Sequence, residues 1–226
     1  MKERGIIFNA EMVRAILDGR KTQTRRVMKV QPVLNGDRWE VYSASVEKGN
    51  KSIPVTPWGS IENNCPFGKV GDHLWVRETW SVVSHEFDDD GLMIDYVPDR
   101  PTKAVREMPY GHGYYTGHVI YSADGDFTWG DDDGCIDGRS CWKPSIHMPR
   151  WASRITLEVT DVRVERLNDV SNDDAKSEGC WYGRGCGVPD KALTPSDQFP
   201  TLWEEIYGDG SWASNPWVWV IEFKRI

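Results

Sequence analysis

Residues 217–223, WVWVIEF, constrain the fold of this chain more than any other segment, because they are apolar on both faces until Glu222. That pattern is typical of a central strand that is buried on both sides of its sheet. Residues 155–164 alternate in apolar character but change phase at Thr160 and Asp161, where we predict a β-bulge or a sharp bend. Short strands at both ends of the chain, with small helices between them, predict an α+β fold built on a small mixed barrel.

Three other segments carry helical signals. Residues 10–18 have apolar side chains at helical spacing, and we expect Asn9 to be the N-cap and Gly19 the C-terminal stop. Ser171 is expected to cap a second, short helix that ends at Gly179. A third helix is predicted to be amphipathic from its apolar residues, which are Phe199, Leu202, Trp203 and Ile206.

The 226 residues are enough for one domain, and we predict a single domain over 1–226. Residues 32–66 contain Gly, Asn and Pro without a firm period, so we predict mostly loop there. Residues 82–142 hold many acids and glycines, and we predict a loop-rich insertion that one apolar strand interrupts at 118–121. The 12 tryptophans indicate a well-packed core, an aromatic pocket, or both.

The formal net charge of −8 limits the kinds of partner this chain can have. Strong non-specific binding to DNA or RNA needs a broad cationic surface, so a small ligand fits the charge better. No stretch approaches the roughly 20 apolar residues of a membrane span, and the N-terminus lacks the apolar core of a signal peptide. We therefore expect a cytoplasmic protein with no membrane partner, and the odd number of cysteines, 5, fits a reducing compartment.

The densest cluster of reactive side chains comprises Lys21, Thr24, Arg25 and Arg26. A Thr hydroxyl attacks an acyl group only with a base in hydrogen-bond reach, and a lysine can be that base when its pKa is lowered. The nearby arginines would lower the lysine pKa, and they stay protonated, so they could hold an oxyanion or a phosphate. By spacing alone, the more frequent explanation of such a cluster is a solvated basic turn after a helix.

Four segments in order resemble the ASCH family of PUA-like barrel proteins. Residues 16–26, ILDGRKTQTRR, are similar to its signature, in which a helix ends in Gly and Lys-Thr-x-Thr-x-Arg follows. Residues 71–78 resemble the Gly-Asp strand of the family, residues 167–179 its Glu-bearing helix, and residues 217–223 its closing strand. The resemblance implies a PUA-like mixed barrel with short flanking helices, and the whole chain is similar to phage and prophage members with a long central insertion.

Some members of this superfamily are amidohydrolases that cleave N4-acetylcytidine with a Lys, a Thr and a Glu. Carried over by position, the resemblance implies Lys21, Thr24 and Glu178 as the catalytic set. In one route Lys21 accepts the proton of Thr24, which attacks the amide carbon while Glu178 protonates the leaving amine or activates water. In the other route Glu178 or Lys21 activates water directly, and Thr24 only orients the substrate. The expected substrate-binding residues are Phe8, Asn9, Arg25, Arg26, Trp75, Arg77 and Glu78.

The small enzymes of the superfamily lack most of the region between Val27 and Trp151, so the acyl group and the size of the substrate stay open. The expected partner is a modified pyrimidine base or nucleoside, with RNA as the alternative. Two other functions would use the same cleft. One is an RNA- or nucleotide-binding module in which Lys21, Arg25 and Arg26 hold phosphate, and the other is a ribonuclease.

We expect no cofactor and no metal at this site. Two cysteine pairs, Cys135 with Cys141 and Cys180 with Cys186, lie near His147, but their five intervening residues exceed the usual zinc spacing. Free thiols are therefore expected in preference to zinc. Residues 131–133 are three aspartates without the ligand pattern of an EF-hand, and we expect a solvated loop there.

Overall fold

The structure of the chain is a computed structural model that describes residues 1–35, 38–41, 53–55, 65–88, 90–129, 141–180 and 194–226. It has an α+β fold that is mostly sheet with few helices. The α-helices of the described residues are α1 (Ala10–Leu17), α2 (Asn172–Ser177) and α3 (Pro195–Tyr207). The strands are β1 (Glu3–Ile7), β2 (Gln23–Val27), β3 (Pro32–Asn35), β4 (Arg38–Val41), β5 (Ile53–Val55), β6 (His73–Arg77), β7 (Trp80–Val83), β8 (His85–Phe87), β9 (Met93–Asp95), β10 (Lys103–Tyr110), β11 (Gly113–Tyr121), β12 (Thr156–Arg166) and β13 (Trp217–Arg225).

A five-stranded sheet in the order β1-β6-β12-β13-β2 contains the strand that the sequence predicts to be central. β13 pairs antiparallel with β12 on one side and with β2 on the other, and residues 218–221 are buried, which confirms the prediction. The register of β12 against β13 shifts between Val159 and Asp161, as expected for the predicted β-bulge. Among the described strands, the order ends at β1 and β2, and no closed barrel is found.

The chain divides into two compact units. The first comprises Met1–Arg4, Ala15–Leu74 and Leu157–Ile226, and the second comprises Gly5–Arg14 and Trp75–Thr156. Each unit draws on separate stretches of the chain. The sequence therefore shows no single Gly-, Pro- or Ser-rich linker that would mark a boundary between them.

In the first unit, α2 and α3 contribute to one hydrophobic core together with β13. The buried residues of this core are Leu167, Ala175, Cys180, Phe199, Trp203, Val218 and Val220. α3 is the predicted amphipathic helix, since it buries Phe199 and Trp203 and half-buries Leu202. Ile206, which the pattern also assigned to the apolar face, is exposed. No helix of the described residues is long and apolar enough to cross a membrane.

Residues 32–66 contain more structure than the sequence predicts. β3, β4 and β5 form a three-stranded antiparallel sheet within this stretch, so the prediction of mostly loop is wrong for those three strands. Strands of three or four residues are too short to show a period in the sequence, which explains the error. Residues 36–37, 42–52 and 56–64 lie outside the described residues.

The second unit contains strands where the sequence predicts a loop-rich insertion over 82–142. β10 and β11 form an antiparallel sheet with β7, and β8 and β9 form a separate hairpin. The predicted apolar strand at 118–121 is the buried end of β11. β10 leaves most of its side chains exposed, so it has no apolar face for a period to reveal, and the prediction missed it.

Candidate active site

The end of α1 places Lys21 against the C-terminal end of α2. Gly19 has a φ of +73°, and the backbone N–H groups of Arg20 and Lys21 donate to the carbonyl of Ala15 at 2.8 and 2.9 Å. This arrangement satisfies the carbonyl of Ala15 near the end of α1 and turns the chain sharply. The N–H of Thr22 then donates to the carbonyl of Ser177 at 2.8 Å, which holds the start of β2 on the end of α2.

α2 presents Glu178 at its C-cap. Ser171 is the N-cap, as predicted, and it forms a capping box with Asp174. Gly179 follows with a φ of +99°, which favours glycine. A Cβ on Gly179 would lie 3.5 Å from the Cβ of Lys21, so the turn after α2 passes close to the lysine stem.

Lys21 and Glu178 form a buried ion pair, although 157 positions separate them in the sequence. The Nζ of Lys21 lies 2.8 Å from Oε2 of Glu178 and also donates to the backbone oxygen of Glu178 at 2.9 Å. The side chain of Lys21 is 0% exposed and that of Glu178 is 5% exposed. The structure therefore brings together the amine and the carboxylate of the predicted catalytic set.

Burial lowers the pKa of Lys21 below its ordinary value of 10.5, because an ammonium loses its hydration inside the protein. The carboxylate of Glu178 opposes this change, whereas the positive charges of Arg26 and Arg25 lower the pKa further. The arginines lower this pKa, as their positions in the sequence predict, but burial is the larger cause. A lysine whose pKa is lowered in this way can serve as a base.

Arg25 contacts three carboxylates with a guanidinium that is 0% exposed. Its Nη2 lies 3.0 Å from Oε2 of Glu165 and 3.5 Å from Oδ2 of Asp174, and its Nη1 lies 3.4 Å from Oε1 of Glu178. Since Oε2 of Glu178 contacts Lys21, the two oxygens of this carboxylate are divided between two buried cations. These contacts of Arg25 are with carboxylates of its own chain.

Arg163 extends the ionic cluster toward solvent. It pairs with Glu165 at 2.5 Å, with Asp174 at 3.1 Å and with Glu222. None of these residues was among the predicted site residues. The alternation along β12 contained a signal for two of them, because Arg163 and Glu165 fall on the face opposite the apolar Val162 and Val164.

Thr24 lies in β2 and is 2% exposed. Its neighbours Gln23 and Arg25 direct their side chains to Asp174 and to the acids around it. Alternation along a strand puts the Thr24 side chain on the other face of β2, in register with Ile221 of β13. The predicted hydroxyl is therefore close in sequence to the ion pair but projects from the opposite face of the strand that carries Arg25.

Three further residues predicted to bind substrate lie in different surroundings. Arg26 is half-buried in β2, in register with Trp219 of β13. Phe8 is 2% exposed and belongs to the core. Asn9 caps α1, as predicted, because its Oδ1 accepts a hydrogen bond from the N–H of Met12 at 2.8 Å.

Trp75, Arg77 and Glu78, the remaining residues predicted to bind substrate, belong to the second unit. The guanidinium of Arg77 lies 5.4 Å from the ring centroid of Trp75 and donates to backbone oxygens, including that of Ser145 at 3.2 Å. Glu78 is 1% exposed, and Arg154 binds both of its oxygens at 3.0 Å. Burial raises the pKa of Glu78, and Arg154 opposes that change.

The cysteines differ in part from the expectation of free thiols. Cys65 and Cys141 are free, whereas Cys180 is disulfide-bonded. Cys135, Cys186 and the aspartates at 131–133 also lie outside the described residues. Within the described part of the chain, no group of three His, Cys, Asp or Glu residues could hold a metal ion.

Comparisons of this chain with family models, with curated proteins and with solved structures give no match.

Proposed function

We propose that this chain is an amidohydrolase that removes the acyl group from N4-acylated cytosine or cytidine, and that Lys21 and Glu178 carry the chemistry. The buried contact of 2.8 Å between them is the observation that supports this proposal most strongly. Amide hydrolysis needs a base and an acid, and a lysine with a lowered pKa beside a buried carboxylate can supply both. The resemblance to the ASCH family supplies the substrate class, and with it we propose that the five-stranded sheet belongs to a PUA-like barrel.

The proposed reaction begins with Lys21 in its uncharged form. The amine accepts a proton from water, and the water oxygen bonds to the acyl carbon, which gives a tetrahedral intermediate. The bond between that carbon and the exocyclic nitrogen then breaks, and the proton returns to the leaving amine from Lys21 or through Glu178. The products are a carboxylic acid and the free amino group of the pyrimidine.

Two forms of this reaction differ in the role of Thr24. Direct activation of water by the ion pair needs only the contact between Lys21 and Glu178. Attack by Thr24 needs its hydroxyl within hydrogen-bond reach of the Lys21 amine. The alternation along β2 directs the Thr24 side chain to the face opposite Arg25, whereas Lys21 precedes the strand, so both forms are carried to the test below.

Hydrolysis of N4-acetylcytidine, followed as the loss of the ultraviolet band of the acylated base, tests the proposal. Lys21→Met and Glu178→Gln should each lower kcat/KM at least about 100-fold, the usual contribution of a positioned acid or base. Lys176→Met is the matched control, because Lys176 lies on α2, the helix that Glu178 caps, but pairs with the exposed Asp173. A wild-type protein that leaves the spectrum unchanged over a panel of acyl groups would show that the proposed function is wrong.

Thr24→Ser and Thr24→Val separate the two forms of the reaction. If Thr24 is the nucleophile, the serine variant keeps activity and the valine variant loses it, because only serine retains a hydroxyl. If water is the nucleophile, both variants keep kcat within about tenfold of wild type, since neither removes the acid or the base.

The contacts of Arg25 do not favour phosphate binding as the function of this cluster. A cation that holds an RNA phosphate must exchange its counterions for that phosphate. The guanidinium of Arg25 is fully buried and already contacts three carboxylates of the chain. The hydrolase is therefore the function that the first unit supports best.

A further inference from the structure

Arg25 is a permanent cation that shares a carboxylate with the predicted base. Its Nη1 lies 3.4 Å from Oε1 of Glu178, whose other oxygen lies 2.8 Å from the Nζ of Lys21. All three side chains are buried, so water screens their charges weakly. A single carboxylate therefore balances two cations at once.

The neighbouring acids hold Arg25 in this place. Glu165 on β12 lies 3.0 Å from its Nη2, and Asp174 on α2 lies 3.5 Å from the same atom. The Asp174 carboxylate also accepts from Gln23 at 3.2 Å and lies 3.1 Å from Arg163. Three elements, β2, β12 and α2, thus set the position of the guanidinium that touches Glu178.

We propose that Arg25 is a positioning residue that holds one oxygen of Glu178 and thereby keeps the Lys21 amine in its uncharged, proton-accepting form. An arginine remains protonated at every pH of interest, so it competes for Glu178 without itself titrating. The other charged groups that act on the lysine are Glu178, which favours the ammonium, and Arg26, which opposes it. This inference rests on the proposed function only for the statement that Lys21 acts as a base.

The test measures the titration of Lys21 without any substrate. Protein labelled with ¹³C at the lysine Cε carbons gives one NMR signal for each lysine, and the signal of Lys21 is assigned by its loss in Lys21→Arg. In Arg25→Gln the titration midpoint of Lys21 should rise by roughly one pH unit, as expected from the loss of one unit charge a few ångströms away. Arg25→Lys, which keeps the charge, should restore most of the wild-type midpoint.

Two further variants give this measurement a control and a change of opposite sign. Arg20→Gln should leave the Lys21 midpoint unchanged, because Arg20 pairs with Asp18 near the surface. Glu165→Gln removes an anion that pairs with Arg25. The positive charge of Arg25 is then less compensated, so the titration midpoint of Lys21 should fall. This variant also decides the question if Arg25→Gln does not fold.

A Lys21 midpoint that stays at the wild-type value in folded Arg25→Gln, or that fails to fall in Glu165→Gln, overturns the assignment of Arg25. Where acylcytosine hydrolysis is found, the acid limb of kcat/KM against pH should move to higher pH in Arg25→Gln, together with the NMR midpoint. If the midpoint shifts as expected but no acylcytosine is hydrolysed, the role of Arg25 stands and the proposed function fails.

Discussion

At the scale of single residues, the chain buries a lysine and a carboxylate against each other. A buried ion pair adds little to stability on balance, because desolvation of both charges offsets their attraction. The pair of Lys21 and Glu178 is therefore better explained by chemistry than by stability. The effect of changing one of these side chains on the free energy of unfolding should therefore depend on whether the other is present.

A double-mutant cycle with Lys21→Met and Glu178→Gln should reveal that dependence. Glu178→Gln should cost about 3 kcal/mol, because it leaves the buried cations without their shared carboxylate. Lys21→Met should cost less, since Glu178 keeps its contact with Arg25. Urea unfolding should give a double variant that is more stable than the sum predicts, by about 1 kcal/mol or more. Additive effects would contradict a direct interaction.

Asp72 gives a prediction about pH at the same scale. Its carboxylate accepts from the backbone N–H of Lys2 at 2.8 Å and from Arg4 at 3.0 Å, and these hydrogen bonds lower its pKa to about 2. A lowered pKa in the folded state stabilises the protein above the unfolded pKa, and this contribution disappears as pH falls through the folded pKa. Asp72→Asn should be less stable than wild type at neutral pH.

The difference between wild type and Asp72→Asn should shrink as pH falls from about 4 to about 2, because the wild-type carboxyl then becomes neutral as well. Urea midpoints of both proteins across this range measure the effect. A stability difference between the two proteins that stays constant over this pH range would show that the charge of Asp72 does not cause it.

At the scale of elements, short structures with good caps bring the site together. α1 ends at a left-handed glycine, α2 begins with a capping box, and each ends next to the other. Glycine at a positive φ costs less than any other residue there, and a Cβ added to Gly179 would lie 3.5 Å from the Cβ of Lys21. The turn after α2 is thus the element whose geometry bears most directly on the ion pair.

Gly179→Ala should therefore impair both stability and the site. The substitution places a methyl group in left-handed backbone, at a cost of roughly 1–2 kcal/mol. The new Cβ would also lie 3.3 Å from the Cβ of Ala15, so α1 must give by a few tenths of an ångström beside the Lys21 stem. We expect the Lys21 NMR midpoint to change and acylcytosine hydrolysis to fall at least about tenfold, as a 1 Å misplacement can cause.

Gly208→Ala is the matched control for this prediction. Gly208 ends α3 with a φ of +91°, and a Cβ there would meet nothing within 4 Å. The control should lose similar stability in urea unfolding but keep the Lys21 midpoint and the rate of hydrolysis. Equal loss of activity in the two variants would contradict the role of the Gly179 turn.

At the scale of the whole molecule, charge limits what the chain can bind. The net charge is −8, and Arg25 and Arg163 of the ionic cluster form ion pairs with acids of the same chain. The counterion release that drives non-specific binding to nucleic acid is therefore small. A small, uncharged ligand such as an acylated pyrimidine matches this distribution of charge better than RNA.

Fluorescently labelled single-stranded RNA should bind weakly at physiological salt, with a Kd no tighter than about 100 µM. Fluorescence anisotropy measures this affinity, and the affinity of Arg25→Gln should equal that of wild type because Arg25 is buried. Tighter binding with a steep dependence on salt, weakened by Arg25→Gln, would favour the RNA-binding alternative over the hydrolase.

Local patterns in the sequence were enough to predict the elements that carry their own signal. The two-sided apolar run of β13, the phase change of β12, and the caps at Asn9 and Ser171 are all observed. Each depends on the periodicity of one strand or on a single side chain at a helix end. The predictions missed β3 to β5 and β10, whose strands are short or exposed and show little period.

The resemblance had grouped Lys21 with Glu178, but only the tertiary structure decided the burial of this pair and the acids that meet Arg25. Lys21 and Glu178 are 157 positions apart, and the acids around Arg25 come from β12 and α2, so no spacing in the sequence relates them. The lowered pKa of Lys21 is also a tertiary property, since burial causes it more than the neighbouring arginines do. A sequence determines the chemistry of each group, whereas packing determines the solvent and the partners that tune it.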